Sequence, residues 1–342
     1  MKRRLGSALS VALLAAGLTA CSTGSTDTSS TDDGATTSKV EDGAYPVTIE
    51  HAFGETTIEE EPKRVATVGW TDQDHVLALG VVPVGATELT WGGNDNGSSD
   101  WFDARLEEVG GEAPTRYSDT DGIPFDEIAE SQPDLILATN SGITQKDYDK
   151  LSEIAEVVAY PEAPWVTSWR DSLEMVGDAL GRPALADELL EESEQVIADA
   201  REEHPEVDGT SFVFTYFTPT DLSKVGIYGD QDPRVEIMEE FGLVTPDWVT
   251  EVVPDGQFYA DVSAERAGTV ESDLLLTYEE TEGDTAKLAE NRLLGRIPAL
   301  ASGQFFAEPD KELGIAVTNP TPLSIPVIAD DFLPKVAAAL GG

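Results

Sequence analysis

The sequence predicts an α/β protein of two α/β lobes joined by one long rigid helix, with a ligand cleft between the lobes. Three observations carry this. The stretch 183–203 sets Leu185, Leu189, Val196, Ile197 and Ala200 at helical spacing in an otherwise acid-rich run, which gives a helix with one apolar face. On each side of it, short buried-strand and helix patterns alternate for long enough to build a lobe. The part left after the N-terminal leader and linker, about 300 residues, exceeds one ordinary core and favours two. At 1.5 Å per residue, the central stretch of about 21 residues makes a rod of roughly 31 Å, about the width of a small domain. Pro183 suits a first helical turn, and Gly181 interrupts the chain just before it. The expected organisation is a leader at 1–21, a tether at 22–44, lobes at 45–182 and 205–342, and the joining helix at 183–204.

The leader has a basic start (Lys2, Arg3, Arg4), an apolar run over 9–18 and small residues at its end. The apolar run is too short to cross a bilayer, so it is a secretory signal and not a spanning helix. It closes with Leu18-Thr19-Ala20-Cys21, which resembles the bacterial lipobox, where the signal is cut before the cysteine and the thiol receives a diacylglycerol. Cys21 is the only cysteine, so no disulfide within the chain competes for it. Two or more acyl chains anchor stably where one does not. The expected location is the outer face of the cell membrane, held there by lipid. Residues 22–38 contain only Ser, Thr, Gly, Asp and Ala, which cannot form a core. We therefore expect a flexible, solvated tether reaching roughly 25 Å.

Lys and Arg number 21 against 66 Asp and Glu. Loss of the leader removes three basic residues and no acids, which leaves 18 against 66, a charge of −48. Such a surface repels nucleic acid and anionic lipid.

The first lobe opens with a buried strand at 65–70. A helix over 72–79 follows, with Thr71 and Asp74 placed like a capping box and Gly80 at its end. A strand at 81–86, a loop at 90–101, a helix from Pro124 or Phe125 to Ser131, a strand at 134–139, a helix at 144–155 and a strand at 157–160 follow. The segment Pro164-Trp165-Val166-Thr167-Ser168-Trp169-Arg170 leads into a helix ending at Leu180. After the joining helix the alternation restarts: strand 211–218, helix 233–241, helix 264–270, strand 273–278, helix 285–294, strand 304–308 and a last helix at 322–340.

An internal echo relates the lobes. Asp126 stands eight residues before Asp134, which opens a strand, and Glu265 stands eight residues before Asp273, which opens another. Glu127 is the neighbouring candidate in the first lobe. Acids also favour helix N-termini on electrostatic grounds, so the echo alone assigns no role.

By this point the chain resembles a known family: the substrate-binding lipoproteins of ABC importers for ferric siderophores, a class that includes haem and cobalamin binders. The similarity spans nearly all of 45–342. It is carried by Pro46-Val47-Thr48-Ile49-Glu50-His51-Ala52-Phe53-Gly54, Pro62-Lys63-Arg64-Val65-Ala66-Thr67, Ala78-Leu79-Gly80-Val81-Val82-Pro83-Val84-Gly85, Gln132-Pro133-Asp134-Leu135-Ile136-Leu137, Asp232-Pro233-Arg234-Val235 and Pro320-Thr321-Pro322-Leu323-Ser324-Ile325-Pro326. The resemblance implies a shallow cleft that moves little on binding. It also implies that one acid on each lobe docks onto arginines of the permease; Glu265 matches in one lobe and Asp126, or Glu127 beside it, in the other. The implied partners are a ferric siderophore and an ABC permease with its ATPase. The implied activity is binding and not catalysis, by a monomer that needs no cofactor.

Ligands of open α/β lobes sit where loops leave the carboxyl ends of strands, and aromatic residues collect at those points here. Trp70 ends the first strand, Trp91 follows the second, and Trp165 and Trp169 follow the fourth. Tyr216 and Phe217 end the first strand of the second lobe, Tyr259 precedes a helix, and Tyr278 ends a further strand. A ferric chelate needs flat apolar walls and a few charged hydrogen bonds, because the chelator already satisfies the iron. Arg234, Arg170 and Arg116 are candidates for those bonds. Arg234 could equally pair with Asp232 or Glu236. Direct metal capture would need clustered ligands, yet His51, His75 and His204 lie far apart in the chain. Asn94-Asp95-Asn96-Gly97 with Asp100 is only a partial match to a calcium loop, so we read it as a turn. The sequence contains no nucleophile elbow, phosphate loop, dinucleotide fingerprint or zinc-protease motif. A surface scaffold lipoprotein with an empty cleft is the alternative in a different class.

Overall fold

The computed structural model describes residues 36–341. The leader, Cys21 and the first part of the tether lie outside the described residues. The rest of the tether departs from the expectation of flexibility. Thr36 bridges Val81, and the Thr37 amide donates to the Gly80 carbonyl at 2.8 Å. Arg182, almost fully buried, donates to Ser38 at 2.6 Å, and Glu41 accepts the Ala184 amide at 2.7 Å. Residues 36–44 are thus strapped along the first lobe and onto the start of the joining helix. Composition could not reveal this, because the partners are residues distant in the chain.

A hairpin, β1 (Val47–His51) and β2 (Gly54–Ile58), covers one edge of the first lobe. The lobe's sheet has five parallel strands in the order β5-β4-β3-β6-β7. These are β3 (Val65–Thr67), β4 (Gly85–Thr87), β5 (Thr115–Tyr117), β6 (Leu135–Ala138) and β7 (Glu156–Ala159). The short, fully buried apolar runs of β3 and β6 suit a sheet covered on both faces. Helices α1 (Asp72–Ala78), α2 (Asp100–Val109), α3 (Phe125–Glu130), α4 (Gln145–Leu151) and α5 (Trp169–Ala179) connect and flank them. Helix α2 was not foreseen, its first residues being read as loop, although its signals are present: Ser99 accepts the Phe102 amide, acids fill the first turn, and Gly110 closes it at φ 67°. Thr71 does not cap α1: its own backbone is helical and its hydroxyl makes no cap bond, while the Asp74 carboxylate accepts from Trp101 and Thr321 instead of the Thr71 amide.

The joining helix α6 spans Pro183–Glu203. Ala186, Ser193, Ile197 and Ala200 are its buried residues; Leu185, Leu189 and Val196 flank that stripe half-buried. One apolar cluster runs unbroken from β3 and β6 through α5 and α6 into the second lobe, so the lobes share a core.

The second lobe's sheet has the order β10-β9-β8-β11-β12. Strands β8 (Phe212–Thr218), β11 (Leu274–Tyr278) and β12 (Phe305–Glu308) are parallel, whereas β9 (Asp221–Tyr228) and β10 (Tyr259–Ser263) form an antiparallel extension. That extension was not foreseen. Around the sheet lie α7 (Pro233–Glu240), α8 (Asp247–Val252), α9 (Asp284–Leu288), α10 (Pro298–Ser302) and α11 (Lys311–Thr318). The expected helix at 264–270 is 3-10, and the one at 285–294 is only the short α9 followed by a 3-10 turn at Leu294–Arg296. The last helix is broken into α12 (Ile325–Val327), a π-turn at Ile328–Phe332 and α13 (Leu333–Leu340). Pro334 accounts for the π-turn, since it lacks an N–H and its ring clashes with a regular preceding turn.

A second seam joins the lobes beside the cleft. Asp74 of α1 accepts from Trp101 Nε1 at 2.7 Å and from the Thr321 hydroxyl at 3.1 Å. Glu312 of α11 accepts the Asp100 amide at 2.8 Å.

Candidate functional site

Strand β8 is buried over its first four residues and half-buried from Tyr216 on, as it emerges from the sheet. Its neighbour β11 does the same at Tyr278. At these two carboxyl ends a cavity of about 380 Å³ opens, lined by Trp91, Tyr216, Phe217, Tyr278 and the β11–α9 loop. Trp91 comes from the other lobe. Its ring lies 5.2 Å from that of Tyr278. Gly314 of α11 makes this approach possible: a Cβ there would sit 2.9 Å from the Trp91 ring and 3.3 Å from Tyr278.

From this contact an aromatic wall continues across the second lobe. Tyr278 meets Phe214 at 5.2 Å, Phe214 meets Tyr228 at 5.9 Å, Tyr228 meets Tyr216 at 5.6 Å, and Tyr216 meets Tyr259 at 5.7 Å. Gly226 stands opposite Tyr216 in the antiparallel pair, and a side chain there would overlap the Tyr216 ring. Behind the wall, the Arg234 guanidinium lies 3.7 Å from the Tyr228 centroid and pairs with Asp232 at 2.6 Å. Burial works against the arginine's charge, but Asp232 prevails and holds its pKa above the usual value. Burial raises the Tyr278 phenol, and burial together with the Asp261 hydrogen bond raises that of Tyr216, so both stay neutral donors.

The first lobe contributes its switch point, where β3 and β6 run side by side and their connections depart in opposite directions. Half-buried Trp70 follows β3 there. Trp165 is 40 % exposed, holds a left-handed φ of 66°, and lies against Gly142 in the loop after β6.

The structure therefore brings Trp91, Tyr216 and Tyr278 into one cavity, joins Tyr259 and Arg234 to it through the wall, and sets Trp70 and Trp165 at the opposing strand ends. Two candidates go elsewhere. Trp169 is 2 % exposed and donates its indole N–H to Glu240 at 3.2 Å, so it is a core residue. It starts a helix whose apolar side faces inward, and loop position in the sequence could not separate the two cases. Arg170 stacks on Trp169 and is held by Glu194 of α6 and Glu240 of α7, which makes it a brace between helices. Arg116 is likewise engaged, with Gln73 and the face of Phe102. The sequence reading missed Phe214 and Tyr228 in the wall. Tyr228 was hidden because β9 went unrecognised.

Asp126, Glu127 and Glu265 are all exposed. Asp126 and Glu265 begin the helical segments that precede β6 and β11, which places both at the carboxyl-end face of their sheets. The echo in sequence has a structural cause: Asp134 accepts the Lys63 and Arg64 amides at 2.8 and 2.9 Å, and Asp273 accepts the Ser211 amide and hydroxyl at 3.2 and 2.6 Å. Each fastens its strand to the neighbouring one in the same way.

Two α/β lobes on one helix, with aromatic walls gathered at the carboxyl ends of their strands, define a two-lobed small-molecule binding protein. A family profile described as periplasmic binding protein matches residues 65–312, and the chain belongs to that family. Among similar solved structures is PiaA of Streptococcus pneumoniae TIGR4 in complex with ferrichrome, with TM-score 0.82, 37 % identity, and coverage of 86 % of this chain and 98 % of that one. A periplasmic solute binding protein of Mycobacterium smegmatis superposes with TM-score 0.71 at 30 % identity, over 86 % of this chain and 99 % of that one. The Bacillus subtilis protein named "Probable siderophore-binding lipoprotein YfiY" is 25 % identical over 244 residues, 70 % of each chain.

Proposed function

We propose that this protein is the lipid-anchored, extracytoplasmic receptor of an ABC importer, and that it captures a ferric siderophore and hands it to the permease. The observation that carries the reading is the aromatic cavity closed by Trp91 from one lobe and by Tyr216 and Tyr278 from the other. Flat rings from both sides suit a bulky, preformed chelate, and the shared core suits a receptor whose cleft changes little on binding. The ferrichrome bound by the PiaA relative supports the same ligand type. Asp126 and Glu265, exposed on the face where the strands end, are the acids that would meet permease arginines.

The test is a tryptophan-fluorescence titration of the lipid-free chain with ferric siderophores, ferric citrate, haem and cobalamin. Saturable sub-micromolar quenching by a ferric siderophore is the expected result. A response to haem or cobalamin alone would move the substrate, and no response at all would favour the scaffold.

A further inference from the structure

We infer that the cavity at Trp91 selects among ferric chelates by charge, accepting neutral or cationic trihydroxamate complexes and rejecting tris-catecholate ones. This rests on the siderophore reading above and narrows it to a substrate class.

Charge around the aromatic wall is unevenly distributed. Among the described residues, no lysine or arginine lines the cavity, whereas Glu279, Glu280 and Asp284 do. The cations nearby are already matched. Arg234 pairs with Asp232 at 2.6 Å, and its side chain is only 12 % exposed. Lys311 pairs with Glu280 at 2.6 Å, Lys287 with Asp284 at 2.8 Å and Lys224 with Asp261 at 2.6 Å. Glu279 is the carboxylate left over. Its two oxygens accept the Gly283 and Thr285 amides, each at 2.9 Å, which fix it at the cavity edge without supplying a countercharge. The cavity surround therefore sums to a negative charge, within a chain that is itself strongly anionic.

Chelate chemistry makes this decisive. Three catecholates bring six negative charges to iron's three positive ones and leave a trianion. Three hydroxamates leave no net charge, and a pendant amine adds a positive one. A trianion entering here would shed water against carboxylates and find no unmatched cation. A neutral chelate can still use the ring faces and the tyrosine hydroxyls, and an ammonium arm would face Glu279. Rejection by like charge is a recognised route to specificity, because it penalises the wrong ligand without requiring new contacts for the right one.

The experiment compares a neutral cyclic ferric trihydroxamate, a ferric trihydroxamate with a free ammonium, and a ferric tris-catecholate, by fluorescence titration at low and high salt. Both hydroxamates are expected to bind at least about a hundredfold more tightly than the catecholate at low salt, with the gap shrinking as salt screens the repulsion. The double variant Glu280→Gln/Asp284→Asn leaves Lys311 and Lys287 unmatched. It should narrow the gap between the neutral hydroxamate and the catecholate, both measured on that variant, about tenfold. Equal or tighter catecholate binding by the parent, or a gap unmoved in the double variant, overturns charge selection and leaves the siderophore reading standing. If no ferric siderophore binds but haem does, the underlying reading falls and this one with it.

Discussion

A Cβ on Gly142 would meet the Trp165 indole at 2.5 Å, closer than real side chains approach. Gly226 beneath Tyr216 and Gly314 beneath Trp91 and Tyr278 repeat the arrangement. Each of these site aromatics thus rests on a glycine from another segment, and the missing side chain decides where the ring can lie. Gly142→Ala is therefore expected to displace Trp165 and weaken ligand binding by about 1 kcal/mol, the worth of one aromatic contact. The same substitution made on a Trp165→Ala background should cost almost nothing further. Additive losses would mean that Gly142 acts on something other than the indole. Trp169 belongs to the opposite case. Its replacement by alanine should cost about 3–5 kcal/mol of stability, read from urea unfolding, with affinity unchanged in the remaining folded protein. An affinity loss of tenfold with intact stability would return it to the site. The aromatic residues were legible in the sequence because type and loop position are visible there. Their glycine seats were not, because which glycine lies under which ring is a long-range fact.

At the scale of the element, α1 departs furthest from local expectation. All seven of its residues are buried, among them Asp72, Asp74 and His75. Burial pushes Asp72 up to about 7, against the pull of its Thr139 hydrogen bonds, and pushes Asp74 up to about 6. Burial pushes His75 down to about 3, and neither ring nitrogen has a hydrogen-bond partner. The signs oppose one another. The aspartates favour the fold most when protonated, so their contribution is complete below the ordinary carboxylate value of 3.8 and is lost as pH rises through 6 and 7. The neutral histidine contributes above 6.5, and that contribution is lost as pH falls toward 3. Stability of the parent should therefore rise by only about 2 kcal/mol from about pH 7 to about pH 4.5, with the histidine offsetting about half of what the aspartates gain. His75→Leu removes one of the two slopes, so its stability should rise on going from about pH 7 to about pH 4.5, by roughly 3 kcal/mol relative to the parent. Urea midpoints at the two pH values decide it, and parallel profiles for parent and variant would mean that His75 does not carry this term. The sequence placed α1 correctly as an element, since its strand-helix-glycine pattern is local. Its burial comes from packing against α2 and α5, and its bond to Thr321 comes from the other lobe, and neither is visible in the local pattern.

For the molecule as a whole, the features legible from sequence were those that repeat or that sum over many residues: the long joining helix, the alternation on either side, and the echo of Asp134 with Asp273. The β9–β10 extension and the broken last helix were not, because mixed polarity in Asp221–Tyr228 hides a strand and a π-turn leaves apolar periodicity nearly intact. The echo also shapes what the two lobes present together. The same strand-fastening aspartate follows a short helical segment in each lobe, so Asp126 and Glu265 stand at matching places on the two lobes. Neither acid has a shared core or the aromatic wall to serve, since both are exposed. A pair of carboxylates held by lobes that share a core would offer a cationic partner two points of contact, and two weak points held together bind far better than either alone. Asp126→Ala with Glu265→Ala should therefore leave ligand affinity within about twofold. In cells expressing the importer, the same double change should abolish iron uptake, with each single change giving an intermediate loss. A fall in affinity of the purified double variant would place these acids at the cleft instead, and normal uptake would remove them from the docking surface.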